Sequence, residues 1–201
     1  MEIFTRNDNI FYVKDLLSQE LCHRCIELYE SDPRKHPGHT TSAGGAKQLE
    51  VEVKVSTDLA VETDGIWAPV FAELHSAVTA VVQSIAAQFP SLQVSPLQCT
   101  GYKIQHYKKN QGHFKWHLDA FGPGGWDRQL AVIIYLNSVE DGGETCFHRQ
   151  DLKIKPVAGD ALFFPPFWTH MHCGEIPRSG DKYVISSFIR FAIPGIEGTS
   201  A

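Results

Sequence analysis

The hydrophobic residues in the first half of the chain follow helical spacing. Within residues 15–29, leucine and other apolar side chains recur at intervals of three and four, which predicts an amphipathic helix. A longer stretch rich in alanine and valine, residues 66–89, predicts a second helix. It is expected to end before Pro90, because the residue preceding a proline is pushed out of the helical region. The glycine- and proline-containing residues 33–47 between the helices predict a loop.

From about residue 97 onward the pattern changes to short runs of β-branched and aromatic residues, separated by turn residues. The predicted strands cover residues 100–107, 130–136, 144–147, 152–154, 161–164 and 183–191. The turns between them are marked by the glycine-containing segments 122–125, 141–143, 159–160 and 179–181. Because no helical pattern separates these strands, we expect an antiparallel sandwich or barrel.

Composition and charge narrow the function classes only slightly. The chain has 201 residues, of which 43% are hydrophobic and 20% charged, in the range of ordinary globular proteins. A net charge of −5 gives no electrostatic reason to bind nucleic acid or an anionic membrane. We expect no membrane-spanning run and no signal peptide, and the five cysteines form no disulfide framework. These features predict a cytoplasmic protein.

One local arrangement points to metal chemistry. In His117-Leu118-Asp119 the imidazole and the carboxylate are two residues apart, and on a strand such side chains share a face. With a second histidine from a neighbouring strand they would form a facial triad, which leaves positions on an octahedral metal free for a co-substrate and O₂. The alternative is a plain hydrogen bond between the two side chains, and this motif alone does not exclude it.

The order of motifs after this pair resembles a known family, the prolyl-4-hydroxylase-like branch of the iron(II)/2-oxoglutarate dioxygenases. The same order is found in that family, and the matching region covers roughly residues 97–192. The motifs that follow HxD here are Arg128, Tyr135-Leu136-Asn137, Gly142-Gly143-Glu144-Thr145 with Phe147, Pro156 with Gly159 and Ala161-Leu162-Phe163-Phe164, His172-Cys173-Gly174, and Gly180-Asp181-Lys182.

The resemblance implies a fold and a domain arrangement. It implies a mainly β protein with N-terminal helices, built on a double-stranded β-helix of the jelly-roll or cupin-like type. We therefore expect one domain over residues 1–201. Its helical part, residues 1–96, would pack on the catalytic barrel, residues 97–192.

The resemblance also implies the ligands of the metal. His117, Asp119 and His172 would hold Fe(II), for which two imidazoles and one carboxylate are a suitable donor set. His170 is the alternative distal ligand, since it would point the same way as His172 on a strand. We favour His172 because it begins the HxG pattern and stands ten residues before Lys182, the interval that the family keeps.

Further roles are implied for the co-substrate and the substrate. Lys182 would bind the distal carboxylate of 2-oxoglutarate, with Tyr135 and Tyr107 as additional contacts, although either tyrosine is equally a core residue by type. Arg128 and Trp168 would contact the substrate. Their alternatives are a surface ion pair for the arginine and a core position for the tryptophan.

The implied activity is hydroxylation of a C–H bond with Fe(II), 2-oxoglutarate and O₂, and ascorbate is a candidate stimulant. The family favours a prolyl residue in a peptide or protein, with a free amino acid or another small molecule as the alternative. A non-catalytic β-barrel that binds a metal or ligand is a remote third reading. Apart from its substrate we expect no nucleic-acid or membrane partner, and either a monomer or a homodimer.

Overall fold

A computed structural model describes residues 2–41, 45–122 and 125–192. Ser42, Ala43 and Gly44 of the predicted loop, and Pro123 and Gly124 of the first predicted turn, lie outside the described residues. The two helices are α1, Gln19–Ser31, and α2, Ala68–Ala86. Short 3₁₀ turns cover Asn7–Asn9, Gly65–Trp67, Pro90–Leu92 and Trp168–His170.

Sixteen strands are found within the described residues, and they are numbered in chain order. They are β1 Glu2–Arg6, β2 Ile10–Lys14, β3 His36–Pro37, β4 Thr40–Thr41, β5 Lys47–Gln48, β6 Lys54–Val55, β7 Thr57–Val61, β8 Leu97–Cys99, β9 Tyr102–Tyr107, β10 His113–His117, β11 Arg128–Tyr135, β12 Thr145–Phe147, β13 Leu152–Ile154, β14 Ala161–Phe164, β15 His172–Gly174 and β16 Lys182–Phe191.

The strands form two main antiparallel sheets. The larger sheet has the order β1-β2-β14-β11-β16-β9-β7-β3, with β8 paired to β16, and the smaller has the order β13-β12-β15-β10-β6. Strands β4 and β5 pair only with each other among the described residues. Apart from β1 with β2 and β12 with β13, neighbouring strands in these sheets are not consecutive in sequence, and the register of the long central strands β11 and β16 fixes which side chains meet.

The larger sheet is covered on one face by both helices. Alternate residues of β11, Leu130, Val132 and Ile134, belong to the same core cluster as the buried faces of α1 and α2. The residues between them point to the other face, where Ala131 and Tyr135 join a second cluster with aromatic residues of the smaller sheet. This period-two alternation separates a helix-backed core from the space between the sheets.

Helix α2 corrects one expectation. With the preceding 3₁₀ turn it spans Gly65–Ala86, 22 residues that are long and apolar enough to cross a membrane by length and composition. The expectation that no run reaches this length was therefore wrong. Its buried residues follow helical spacing and pack in the cluster behind the larger sheet, as a core helix does.

The helical character expected for residues 1–96 is only partly correct. Both helices are present, but seven strands also lie in this region, and Thr40–Thr41 and Lys47–Gln48 pair inside the predicted loop 33–47. Strands of two residues carry no periodic signal. Strand β2 is a buried apolar run that pairs with β14 across about 150 residues of sequence, and its pairing partner cannot be inferred from local pattern.

Candidate active site

A cavity of about 640 Å³ lies between the two sheets. Its walls come from β9, β11 and β16 of the larger sheet and from β10, β12 and β15 of the smaller one. Residues of β4 to β6 and of the segment after β10 form part of its rim. The cavity therefore joins the sequence region that carries the motifs to the N-terminal region that carries none.

Three predicted side chains meet in this cavity. Oδ1 of Asp119 lies 3.6 Å from Nε2 of His117, and Oδ2 of Asp119 lies 3.3 Å from Nε2 of His172. The two imidazole centroids are 4.2 Å apart. One ligand atom from each residue lies within 4.8 Å of the others, so a single ion can contact all three.

Hydrogen bonds at the Nδ1 atoms determine the tautomer and orientation of the two imidazoles. Nδ1 of His117 lies 2.7 Å from the carbonyl of Lys115, and Nδ1 of His172 lies 3.0 Å from the carbonyl of His170. A carbonyl only accepts hydrogen bonds, so each Nδ1 must carry the proton and donate it. The lone pair of each Nε2 is therefore free and directed at the Asp119 carboxylate, the arrangement that metal-binding histidines require.

Electrostatics favour the protonation states that a metal needs. Burial, together with the neighbouring His172, lowers the pKa of His117 to about 3, so this imidazole is neutral at physiological pH. Burial alone would raise the pKa of Asp119, but His172 and His117 beside it hold the pKa below its usual range. Two imidazoles and one carboxylate form a donor set that fits Fe(II).

Asp119 reaches this position by a different route from the one expected. Strand β10 ends at His117, and its register with β15 shifts between Phe114 and His117. Asp119 follows in a bend, where its amide donates to the carbonyl of Pro166 over 3.2 Å. The carboxylate is thus aimed by loop hydrogen bonds and not by strand alternation, and the argument that the pair shares a strand face was wrong.

His170 lies outside the cluster. It belongs to the 3₁₀ turn Trp168–His170, its Nε2 lies 2.6 Å from the carbonyl of Asp8, and its Nδ1 contacts the hydroxyl of Thr169 at 2.9 Å. Both ring nitrogens are therefore engaged elsewhere. The expectation that His170 and His172 point the same way was wrong, because His172 begins a strand whereas His170 ends a turn.

Lys182 lies in the wall of the cavity and is 4% exposed. Its ammonium donates to the carbonyl of Gly143 over 2.6 Å and lies 5.6 Å and 5.7 Å from the rings of Tyr107 and Tyr135. No carboxylate lies within 4.0 Å of it among the described residues. Burial lowers its pKa to about 8, the signature of a cation without an anionic partner.

The two tyrosines beside Lys182 differ in how their hydroxyls are used. The hydroxyl of Tyr135 donates to Oγ1 of Thr145 over 2.8 Å, and that of Tyr107 donates to Oε1 of Gln105 over 3.3 Å. Thr145 was not singled out from the sequence, although it lies in the Gly-Gly-Glu-Thr motif and lines the cavity. The motif therefore contained Thr145, but only the glycines of the motif were interpreted.

The structure separates the two predicted substrate residues. Arg128 lines the cavity, donates to the carbonyl of Asp119 over 2.7 Å and places its guanidinium 3.6 Å from the centroid of the Phe188 ring. It therefore supports the backbone of a candidate metal ligand. Trp168 is 74% exposed and is not among the residues that line the cavity.

Sequence reasoning missed a buried ion network in the cavity wall. Nζ of Lys54 lies 2.9 Å from Oδ2 of Asp58, and Nζ of Lys103 lies 3.2 Å from the same oxygen. Lys54 and Asp58 are almost wholly buried, and the Lys54 ammonium sits 5.2 Å from the ring of Phe114, which stacks on His117. The residues come from β6, β7 and β9, and their spacing in sequence gives no indication that they meet.

Comparison with known proteins agrees with this geometry. The sequence model described as the 2OG-Fe(II) oxygenase superfamily matches residues 102–190, the segment that contains the triad and Lys182. Residues 102–190 are thus similar to the 2OG-Fe(II) oxygenases. That family implies Fe(II), 2-oxoglutarate and O₂, and a His-Asp-His triad is present in the matched segment.

Relatives of the chain include several proteins named as prolyl 4-hydroxylases. Prolyl 4-hydroxylase 13 of Arabidopsis thaliana is 25% identical over 92% of this chain and 72% of the relative. A putative prolyl 4-hydroxylase of Acanthamoeba polyphaga mimivirus is 35% identical over 56% of this chain and 52% of the relative. The chain spans little more than half of Prolyl 4-hydroxylase 5 of Arabidopsis thaliana, 54%.

Solved structures confirm the fold class. The viral collagen prolyl hydroxylase from Paramecium Bursaria Chlorella virus-1, in complex with 2-oxoglutarate, has a TM-score of 0.68 at 18% identity, over 92% of this chain and 98% of the other. A Trichoplax adhaerens prolyl hydroxylase, in complex with a hypoxia-inducible-factor peptide fragment, has a TM-score of 0.72 at 16% identity, over 92% and 84%. The mainly β, double-stranded β-helix prediction is therefore confirmed.

Proposed function

We propose that this chain is an Fe(II)- and 2-oxoglutarate-dependent dioxygenase that hydroxylates a prolyl residue in a peptide or protein. The observation that carries the proposal is the unpaired Lys182 ammonium in the same cavity as the triad. A buried cation without a carboxylate is costly, and a dianionic co-substrate that also reaches the metal would compensate it.

In this reading His117, Asp119 and His172 would hold the iron. When bound, iron and 2-oxoglutarate supply the activation of O₂, by which 2-oxoglutarate becomes succinate and CO₂ and one oxygen atom enters the substrate C–H bond. The chain's own groups position these reactants. Lys182 binds the distal carboxylate, and the carbonyls that accept from the two Nδ1 groups hold the imidazole rings in place.

Other side chains keep the site rigid and dry. Phe147 and Phe164 pack around His172, with ring centroids 5.9 Å and 4.8 Å from the imidazole. Arg128 anchors the backbone of Asp119. Tyr107 and Tyr135 cover Lys182, so the distal carboxylate would be bound in an environment where a charged contact is strong. These contacts provide orientation and exclusion of water, which are the scaffold's share of such chemistry.

The prolyl specificity rests on the names of the relatives and on the size of the cavity. The relatives quoted above are named as prolyl hydroxylases, and one solved neighbour is described as a complex with a peptide fragment. A cavity of about 640 Å³ that opens beside the triad has room for a prolyl ring together with the co-substrate. We propose a peptide as the substrate, and a cytoplasmic location in keeping with five free cysteines.

The test is a coupled measurement of succinate and of oxygen incorporation. The purified chain would be incubated with Fe(II), 2-oxoglutarate, O₂ and ascorbate, together with proline-containing peptides or free proline, and analysed by mass spectrometry. We expect succinate in all samples and one added oxygen atom on a peptide proline. Asp119→Ala should abolish both products with the circular dichroism spectrum unchanged. Oxygen incorporation into free proline and into none of the peptides would reject the peptide assignment.

A further inference from the structure

The cavity has a deep end and an open end, and the register of the larger sheet orders its residues between them. Strand β16 directs alternate residues into the cavity, namely Lys182, Val184, Ser186 and Phe188. On β9, Tyr107 pairs with Lys182 and Lys103 pairs with Ser186. The Tyr107–Lys182 pair and the Lys103–Ser186 pair are four residues apart along the strands, which is roughly 13 Å. Lys103 therefore lies well beyond the reach of a carboxylate bound to Lys182, toward the more exposed end of the cavity.

Lys103 is not neutralised where it lies. Its ammonium and that of Lys54 share one oxygen of Asp58, at 3.2 Å and 2.9 Å. The side chain of Lys103 is 41% exposed, whereas Lys54 and Asp58 are buried. Since one carboxylate faces two ammonium groups, the cluster keeps one positive charge, and Lys103 is its accessible member.

A second cation lies on the other side of β16, farther along the strand from Lys182: Arg128 pairs with Arg190, four residues beyond Ser186, the partner of Lys103. Arg128, on β11, stacks on Phe188 of β16 and also lines the cavity. No carboxylate lies within 4.0 Å of its guanidinium among the described residues, and its one hydrogen bond in that set goes to a backbone carbonyl. Arg128 therefore adds positive charge to the cavity beyond the level of Lys103.

The charges around the cavity do not balance even when the cofactors are counted. Five cationic side chains line the cavity: Lys47, Lys54, Lys103, Arg128 and Lys182. Two carboxylates, Glu50 and Asp119, line it as well, and a third, Asp58, lies directly behind the wall and is paired with Lys54. A divalent iron and a dianionic 2-oxoglutarate cancel each other. Two positive charges are left over in a chain whose net charge is −5, so the cavity attracts anions against the trend of the whole protein.

We propose that the substrate carries a carboxylate close to the hydroxylated position, bound by the ammonium of Lys103, with Arg128 adding to the positive potential of the cavity. The inference rests on the proposed hydroxylase function and adds the chemical class of the group that is recognised. Two sources supply this chemistry: an acidic side chain next to the target proline, and a free terminal carboxylate of a peptide or amino acid. Both would form a charge-assisted hydrogen bond with Lys103.

The test compares matched substrates. One set of peptides is blocked at both ends and carries alanine, glutamate or lysine on either side of proline. A second set ends in proline, as the free acid or as the amide. We expect kcat/KM to be highest for a carboxylate-bearing substrate, by roughly fivefold or more over its neutral match, and lowest for lysine. The set in which the preference occurs identifies the source of the carboxylate. Equal kcat/KM for acidic and neutral members of both sets would overturn the proposal.

Substitution of Lys103 tests whether this residue causes the preference for a carboxylate-bearing substrate. Because this side chain is partly exposed and Lys54 stays paired with Asp58, Lys103→Gln should fold normally. It should lower kcat/KM for the acidic substrate roughly five- to tenfold and change the neutral one less than twofold. The preference should also weaken with added salt, because the site is open to solvent, and Lys103→Glu should reverse it toward lysine. Lys155→Gln, a lysine exposed away from the cavity, is the matched control and should change neither value.

The outcomes separate this proposal from the proposed function. Binding of the same peptides without O₂, in the presence of Fe(II) and 2-oxoglutarate, should show the same order of affinities although no reaction takes place. If neither succinate nor oxidised peptide forms but the acidic peptides bind better, the hydroxylase assignment fails and the carboxylate site stands. If peptides are oxidised but the preference survives in Lys103→Gln, the hydroxylase assignment stands and this site is wrong.

Discussion

Replacing Lys182 with methionine should make the protein more stable while it removes co-substrate binding. The folded-state pKa of this lysine is about 8, against 10.5 in a solvated chain. At about 1.4 kcal/mol for each pKa unit, holding the charged form in the cavity costs on the order of 3 kcal/mol. Methionine removes this cost but leaves the Gly143 carbonyl without its donor, a loss of about 1 kcal/mol. The expected gain at pH 7 is therefore about 2 kcal/mol.

The contribution of Lys182 to stability should depend on pH. Between pH 8 and pH 10.5 the unfolded chain binds more protons at this lysine than the folded chain does, so the wild type gains stability as the pH rises. Below about pH 8 the full penalty is present. The advantage of Lys182→Met should thus be constant below that pH, shrink above it, and reverse near pH 10.5, where the neutral amine still donates to Gly143.

The assay is urea denaturation of both proteins across this pH range, with and without 2-oxoglutarate. Co-substrate at one hundred times its Kd should stabilise the wild type by about 2.7 kcal/mol and leave Lys182→Met unchanged. Lys54→Met is the matched control, because Lys54 is equally buried but is paired with Asp58. Because Lys103 still contacts Asp58, the loss is that of one buried hydrogen-bond partner, and the variant should destabilise the protein by about 1–3 kcal/mol. The reasoning would be refuted if Lys182→Met were less stable than the wild type at pH 7. It would also be refuted if the difference in their free energies of unfolding did not change with pH.

Three further predictions concern the metal ligands and one turn. Asp119→Ala should lower Fe(II) affinity at least tenfold, measured by titration under argon, since it removes the anionic ligand. His172→Ala should also lose Fe(II), whereas His170→Ala should keep it and lower the melting temperature instead, because its ring joins Asp8 to the 3₁₀ turn; metal retained in His172→Ala and lost in His170→Ala would contradict the assignment. Gly159→Ala should cost about 1–3 kcal/mol in denaturation, since its φ is +87° and an added Cβ would lie 2.4 Å from a backbone oxygen; an unchanged midpoint would contradict this.

Local pattern was sufficient for the strands and helices that have their own period. Two predicted strands, Leu152–Ile154 and Ala161–Phe164, have the bounds that the structure gives, and the strand predicted at 183–191 differs by one residue. Both helices were predicted, with ends that moved by two to four residues. These elements succeed because each buries a continuous face, so the hydrophobic spacing records the geometry directly.

Features that depend on pairing over long distances in sequence were not predictable in the same way. Strand β10, which carries His117, mixes exposed and half-buried residues and gives no alternation. Asp119 is positioned by contacts with Pro166 and Arg128, and His170 is turned away by Asp8. The motif order predicted three residues that the structure brings together, although the local geometry assumed for them was wrong. A motif records the order of residue types and not how the backbone positions them.

The two buried lysines of the cavity show what the structure adds to the motif. Lys54 and Lys182 are both almost inaccessible and both line the same space, and burial lowers the pKa of each. Lys54 already has a carboxylate, so its charge is balanced in the free protein. Lys182 has a backbone carbonyl alone among the described partners, so its charge is balanced only when an anion arrives. The free energy lost by burying an unpaired ammonium is recovered when an anionic ligand binds to it. The unpaired Lys182 is therefore a better indicator of a ligand site than the paired Lys54.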